Sequence, residues 1–91
     1  MYNLRRRFHH HHHQPKGGLF LKPIQLRYLL SVTGYSYEQA SKEIGCTKQS
    51  IYNWVTGRTT PSIMAASILR RWAAEKQIEV PDEDDIEEID A

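Results

Sequence analysis

With 91 residues and a formal charge of +1, the chain has room for one small domain with tails and a modest core. Its single cysteine, Cys46, excludes an intramolecular disulfide framework and a cysteine-only zinc site, and no run is long and apolar enough for a membrane span. The near-neutral total hides a division: residues 1–76 hold all 12 Lys and Arg and only the acids Glu38, Glu43 and Glu75, a balance of +9, whereas residues 77–91 hold eight acids and no base, a balance of −8. Such segregation points to a basic face for a polyanion, which bulk charge conceals.

Residues 1–21 read as a flexible arm. It is basic at Arg5, Arg6 and Arg7, runs through five histidines, and continues into Gln14-Pro15-Lys16-Gly17-Gly18. The histidines lack the acidic companion and varied spacing of a metal centre, and no metal or other cofactor is assigned. From Lys22 the pattern turns helical. Pro23 fits a first turn, and Leu26, Leu29, Leu30 and Thr33 form an inward stripe that stops at Gly34.

Ser36 precedes Gln39 by three residues, the spacing of a capping box, and opens a short second helix with Ala40 and Ile44 inward and Gly45 as its stop. Thr47 can cap a third helix that runs to about Thr56 and ends at Gly57. In it Ile51, Trp54 and Val55 turn inward, leaving Lys48, Gln49, Ser50 and Asn53 on the outer face. These side chains can all bond base edges or phosphates, and a helix of this size fits the major groove. Tyr52 is a candidate exposed phosphate or partner contact, whereas Trp54 is better placed in the core.

Ser62 caps a fourth helix through about Glu75, with Ala65, Ile68, Leu69, Trp72 and Ala73 as its packing face. Residues 22–77 then form the folded domain and 78–91 an acidic tail. Ile78-Glu79-Val80 alternates for too short a distance to define a strand, and the acids that follow read as exposed or disordered. The expected fold class is all-α: a compact domain of four or five helices.

Taken in order, Gly34-Tyr35-Ser36-Tyr37-Glu38-Gln39-Ala40-Ser41, Gly45-Cys46-Thr47-Lys48-Gln49-Ser50-Ile51-Tyr52-Asn53-Trp54 and Gly57-Arg58-Thr59-Thr60-Pro61 resemble the XRE or Cro-like family of lambda-repressor-type helix-turn-helix proteins. With the first and fourth helices included, the resemblance covers roughly residues 22–75. It implies a second helix that crosses the phosphate backbone and a third that enters the major groove. Lys48, Gln49, Ser50 and Asn53 then fall where bases or adjacent phosphates are contacted, with Gln49 suited to adenine and Lys48 to guanine. Tyr37, Thr47, Tyr52 and Arg58 become phosphate candidates.

Two positions depart from the family pattern. Ser41 stands where many members carry Ala, so its hydroxyl must bond back to an upstream carbonyl or the helices must adjust slightly. Several relatives pair a base in the first helix with Glu after the recognition-helix aromatic; here those positions are Leu30 and Val55, an exchange that leaves no buried unpaired charge.

The resemblance implies a DNA-binding transcription regulator of the kind that includes phage and plasmid regulators. We expect a cytoplasmic homodimeric repressor that acts on a palindromic double-stranded DNA operator. The alternative is an adaptor in DNA packaging or recombination that recruits machinery through the acidic tail. Arg5, Arg6 and Arg7 are candidate arm contacts to DNA. Trp72, Ile78 and Val80 are a candidate dimer interface, because so small a monomer has little room to bury them. No enzyme is expected: Cys46 has no sequence-local His partner, and no nucleotide-binding glycine loop occurs.

Overall fold

The structure is a computed structural model that describes residues 4–6 and 20–88; Arg7 and the histidine run lie outside the described residues. Its elements in chain order are β1 (Leu4–Arg6), α1 (Pro23–Thr33), α2 (Tyr37–Ile44), α3 (Lys48–Thr56), α4 (Ile63–Glu75), a 3-10 turn at Glu83–Asp85 and β2 (Ile86–Glu88). The helical expectation holds, with four α-helices at the anticipated places.

Local chemistry sets the helix ends. Ser36, Thr47 and Ser62 each accept a hydrogen bond from the backbone N–H three residues on, at 3.1 Å in every case. That bond satisfies one of the N–H groups a helix start leaves without an intrahelical partner. Gln39 completes the capping box by accepting from the Ser36 N–H at 3.1 Å. Gly45, between α2 and α3, sits at φ 89°, a left-handed conformation that costs side-chain-bearing residues about 1–2 kcal/mol.

The helices close around Leu26 and Leu30 of α1, Ala40 of α2, Ile51 and Val55 of α3, and Ala66 and Leu69 of α4, all buried. Leu29, Trp72 and Ala73 form a second, adjoining cluster. The apolar pair Leu30 and Val55 packs as the sequence suggests. Ser41 is buried, and its hydroxyl donates to the Glu38 carbonyl at 2.7 Å, so the serine is accommodated within its own helix.

The inward face of α4 is turned from the one expected. Ala66, Leu69, Trp72 and Ala73 face the core, while Ile68 remains 38% exposed. The small Ala66 and Ala73 fill the inward positions, and the bulkier Ile68 is left at the rim.

Both ends of the chain also differ from the arm and tail of the sequence reading. β1 and β2 pair antiparallel, with Leu4 opposite Glu88, Arg5 opposite Glu87 and Arg6 opposite Ile86. Arg5 bonds Glu87 at 2.8 Å, and Arg6 makes a two-pronged contact with Glu79 at 3.0 Å on each oxygen. Opposite charges segregated along the sequence thus meet in the fold, and the buried Ile86 pins the ribbon to the domain. Gln25, also buried, receives the Lys22 N–H and donates to the Pro81 carbonyl, each at 2.8 Å, which ties the start of α1 to the acidic segment.

Of Trp72, Ile78 and Val80, expected at an interface between subunits, Trp72 is covered within the chain itself and Ile78 and Val80 partly so. Trp72 is only 5% exposed, and Ile78 and Val80 are half-buried against its cluster. The indole N–H donates to Glu43 at 3.1 Å, and the ring lies 5.8 Å from that of Tyr35. The chain returning from α4 supplies the cover that helix periodicity alone did not reveal.

Candidate nucleic-acid interface

The α2–turn–α3 unit is held from beneath by Ala40, Ile51 and Val55, none of which is exposed to solvent. Its outer surface follows from that anchoring. Lys48 and Gln49 are exposed, Ser50 and Asn53 half-buried, and Tyr52 41% exposed. No acid occurs anywhere in α3, whose sequence is KQSIYNWVT. A surface offering donors without carboxylates suits a polyanion.

Gln49 and Asn53, one helical turn apart, are joined: the Gln49 amide donates to the Asn53 side-chain oxygen at 3.1 Å. One amide hydrogen is thereby used to hold the side chain, and the other remains with the carbonyl oxygen. A donor beside an acceptor is what the N7 and N6 edge of adenine requires. Ser50 is more constrained. Its backbone N–H bonds the Thr47 hydroxyl, and the two hydroxyl oxygens lie 2.9 Å apart. Thr47 and Ser50 therefore shape the helix start as well as offering oxygen groups at it.

The phosphate candidates from three parts of the chain converge. Tyr37 at the start of α2 meets Tyr52 of α3 edge to face, with ring centroids 6.4 Å apart. The Arg58 guanidinium carbon, just beyond α3, lies 6.0 Å from the Tyr52 ring centre. The result is a Tyr37–Tyr52–Arg58 strip bordering the polar face of α3. Neither Lys48 nor Arg58 makes an ion pair among the described residues. Glu38, exposed in the first turn of α2, is the local exception to the positive surface; it lies 4.0 Å from Lys42.

Arg5 and Arg6 are arranged differently from a free DNA-reaching arm. Their partners are Glu87 and Glu79, and the Glu79 hydrogen bond raises the already high Arg6 pKa while holding Glu79 below the usual carboxylate range. Arg7 falls outside the described residues. The ribbon therefore offsets part of the positive charge that a count along the sequence assigns to the DNA side.

One positioning residue escaped the sequence reading. Arg27 of α1 donates to the Val55 carbonyl at 2.7 Å, and its other terminal nitrogen lies 3.5 Å from Glu88. The cation reaches the carbonyl end of α3, which has no basic residue in its own last turn. The family-type polar link between the first and third helices is replaced here by a bond to main chain, one helical turn before Leu30. That missing basic residue was the available signal.

A second polar assembly secures α4. Lys76 donates to the Tyr35 hydroxyl at 2.8 Å and bonds Glu43 at 3.0 Å. The Tyr35 hydroxyl, the Lys76 ammonium and the Trp72 N–H together hold the Glu43 carboxyl below its ordinary range, while Tyr35 and then Glu43 raise Lys76.

An exposed polar helix, placed by a glycine turn against a shorter capped helix and framed by tyrosine and arginine, defines the class as a helix-turn-helix DNA-binding domain. Residues 33–71 match the family model described as helix-turn-helix, HTH_3. The matched span runs from the end of α1 through the turn and α3 into α4. No curated protein and no solved structure significantly matches the chain. Among the described residues no helix is long and apolar enough to cross a membrane.

Proposed function

We propose that the chain is a sequence-specific, double-stranded DNA-binding transcription regulator that works as a dimeric repressor. The observation that carries this reading is the acid-free outer face of α3, where Gln49 is oriented by Asn53 and bordered by Tyr37, Tyr52 and Arg58. Base-edge chemistry sits on the protruding helix, and phosphate chemistry flanks it. A compact reader of this kind represses by occupying DNA that polymerase needs, with no catalytic step of its own. Burial also pushes the Cys46 thiol up, against a role as a nucleophile. The site of action is the cytoplasm.

The ribbon favours the regulator over the recruiting adaptor, because residues 86–88 of the acidic segment already pair with the chain's own arm. Selection from a random duplex library tests the proposal. One palindromic motif should be enriched, and footprinting on it should protect two half-sites about one helical turn apart. Equal retention of all duplexes would overturn sequence-specific regulation.

A further inference from the structure

Where α1 ends and α2 begins, the surface folds into an open groove of about 560 Å³, within the roughly 300–1,000 Å³ span of small-molecule sites. Leu30, only 4% exposed, gives it an apolar floor. Gly34 keeps it open: at φ 73° it ends α1, and a Cβ added there would stand in open space. The rings of Tyr35 and Tyr37 also line the groove, and each is held from elsewhere in the fold. Tyr35 packs on Trp72 with 5.8 Å between ring centres, and its hydroxyl receives Lys76 at 2.8 Å. Tyr37 meets Tyr52 edge to face. The aromatic surface is thus in place before any ligand arrives.

The polar groups of the groove are donors. Gln39 Oε1 accepts the Ser36 N–H at 3.1 Å, which leaves the side-chain NH2 group turned away from that bond. Neither this NH2 nor the Ser31 hydroxyl makes a hydrogen bond among the described residues, and no lining residue carries a charge. An ion would lose water there and meet no opposite charge. Flat rings suit a planar aromatic, and unspent donors suit an acceptor.

We propose that this groove binds an uncharged, planar aromatic molecule bearing a carbonyl, its ring against Tyr35 and Tyr37 and its oxygen accepting from the Gln39 amide, with Ser31 as the second donor. The site is also tied to DNA. Tyr37 belongs both to the groove and to the strip beside α3, so a ligand that holds Tyr37 against Tyr52 orders part of the phosphate border in advance and tightens duplex binding. By linkage, DNA raises the affinity for the ligand by the same factor. This coupling rests on the DNA-reading proposal; the ligand site does not.

Titration of the full isotope-labelled chain with benzamide, followed by NMR, tests the site. The amide resonances of Ser31, Gly34, Tyr35, Tyr37 and Gln39 should shift together along one saturable curve. Cyclohexanecarboxamide keeps the amide without the flat ring and should bind about fivefold or more weakly. Gln39→Glu retains an oxygen for the Ser36 N–H, so far-UV circular dichroism should be unchanged, but a carboxylate replaces the donor and benzamide affinity should fall about tenfold or more. Ser31→Leu, which fills the groove and removes the second donor, should act in the same direction. Shifts scattered over the surface, absence of saturation, equal binding of the two amides, or wild-type binding by both variants would each overturn the site. Saturating benzamide should also lower the dissociation constant for a mixed-sequence duplex by about fivefold. Unchanged duplex affinity would overturn the coupling. A chain that binds benzamide as expected but shows no preference among duplexes would retain the site and remove the regulator reading.

Discussion

Gln49 and Arg58 occupy opposite sides of the distinction between reading and positioning. On the proposed function, Gln49 offers a donor and an acceptor to a base while Asn53 holds its amide, and Arg58, 6.0 Å from the Tyr52 ring centre at the border of the helix, is a phosphate contact. Gln49→Ala should cost roughly 1–3 kcal/mol at one operator position, whereas Arg58→Ala should weaken related duplexes uniformly and flatten the salt dependence by about one phosphate contact. Competition binding against single-position operator variants separates the two effects. Matching wild-type-like profiles from both mutants would reject the assignments.

Glu43 offers a residue-scale test through pH. Its folded pKa is depressed by Tyr35, Lys76 and Trp72, so its contribution is present above the ordinary Glu range and is lost as pH falls through the lowered value. Lys76 is raised, so its contribution is complete below the ordinary Lys value and disappears only as pH rises past the raised one. The network is whole at neutral pH. Glu43→Gln should lower Tm at pH 7, and the gap from wild type should close in strongly acidic buffer. A gap of constant size across that range would show that the carboxylate charge is not what the network uses.

At the scale of elements, the two ends of the chain invite a comparison of ion pairing with burial. Arg5 and Glu87 are 63% and 35% exposed in their side chains, and an exposed pair is worth only about 0.2–1 kcal/mol. Ile86, by contrast, is buried, and covering such a side chain contributes about 1.5–3 kcal/mol. Glu87→Gln with Glu88→Gln should therefore leave thermal stability nearly unchanged while tightening non-specific DNA binding at low salt, as Arg5 and Arg27 lose acidic partners. Deleting residues 86–91 should have the same effect on DNA and also lower Tm. Calorimetry beside binding to a mixed-sequence duplex would check both; unchanged affinity in both variants would mean that the ribbon does not compete with DNA.

The helices were legible because their signals are local. Ser36, Thr47 and Ser62 lie one turn from the N–H groups they satisfy, and Gly45 follows the apolar stripe it terminates. The ribbon was not legible, because two strands of three residues carry no dependable period and their partners lie 80 to 84 positions apart. The cover over Trp72 was hidden for a related reason. Its cover comes from Tyr35 and Glu43 and from Ile78 and Val80 on the returning chain, so burial was fixed by tertiary contacts rather than by helix spacing. The outer face of α3 was readable from the inward positions of Ile51 and Val55, but the Gln49–Asn53 bond and the Arg27–Val55 link needed coordinates.

For the molecule as a whole, the +9 and −8 segments do not act as separate poles. The ribbon brings Arg5 to Glu87 and Arg6 to Glu79, while Lys48 and Arg58 keep their charge toward the surface of the reading head. On the proposed function, the field offered to DNA is therefore narrower than the sequence charge, centred on α3 and its borders, and binding should weaken with salt as counterions return to the duplex. Specificity must then come from the α3 face rather than from bulk attraction. The most direct measurement is the affinity for the selected operator and for an unrelated duplex of equal length, followed over a range of salt. Both affinities should fall as salt rises, with the operator remaining roughly 10³-fold or more tighter at physiological salt. Equal affinities for the two duplexes at every salt concentration would contradict the assignment of sequence reading to α3.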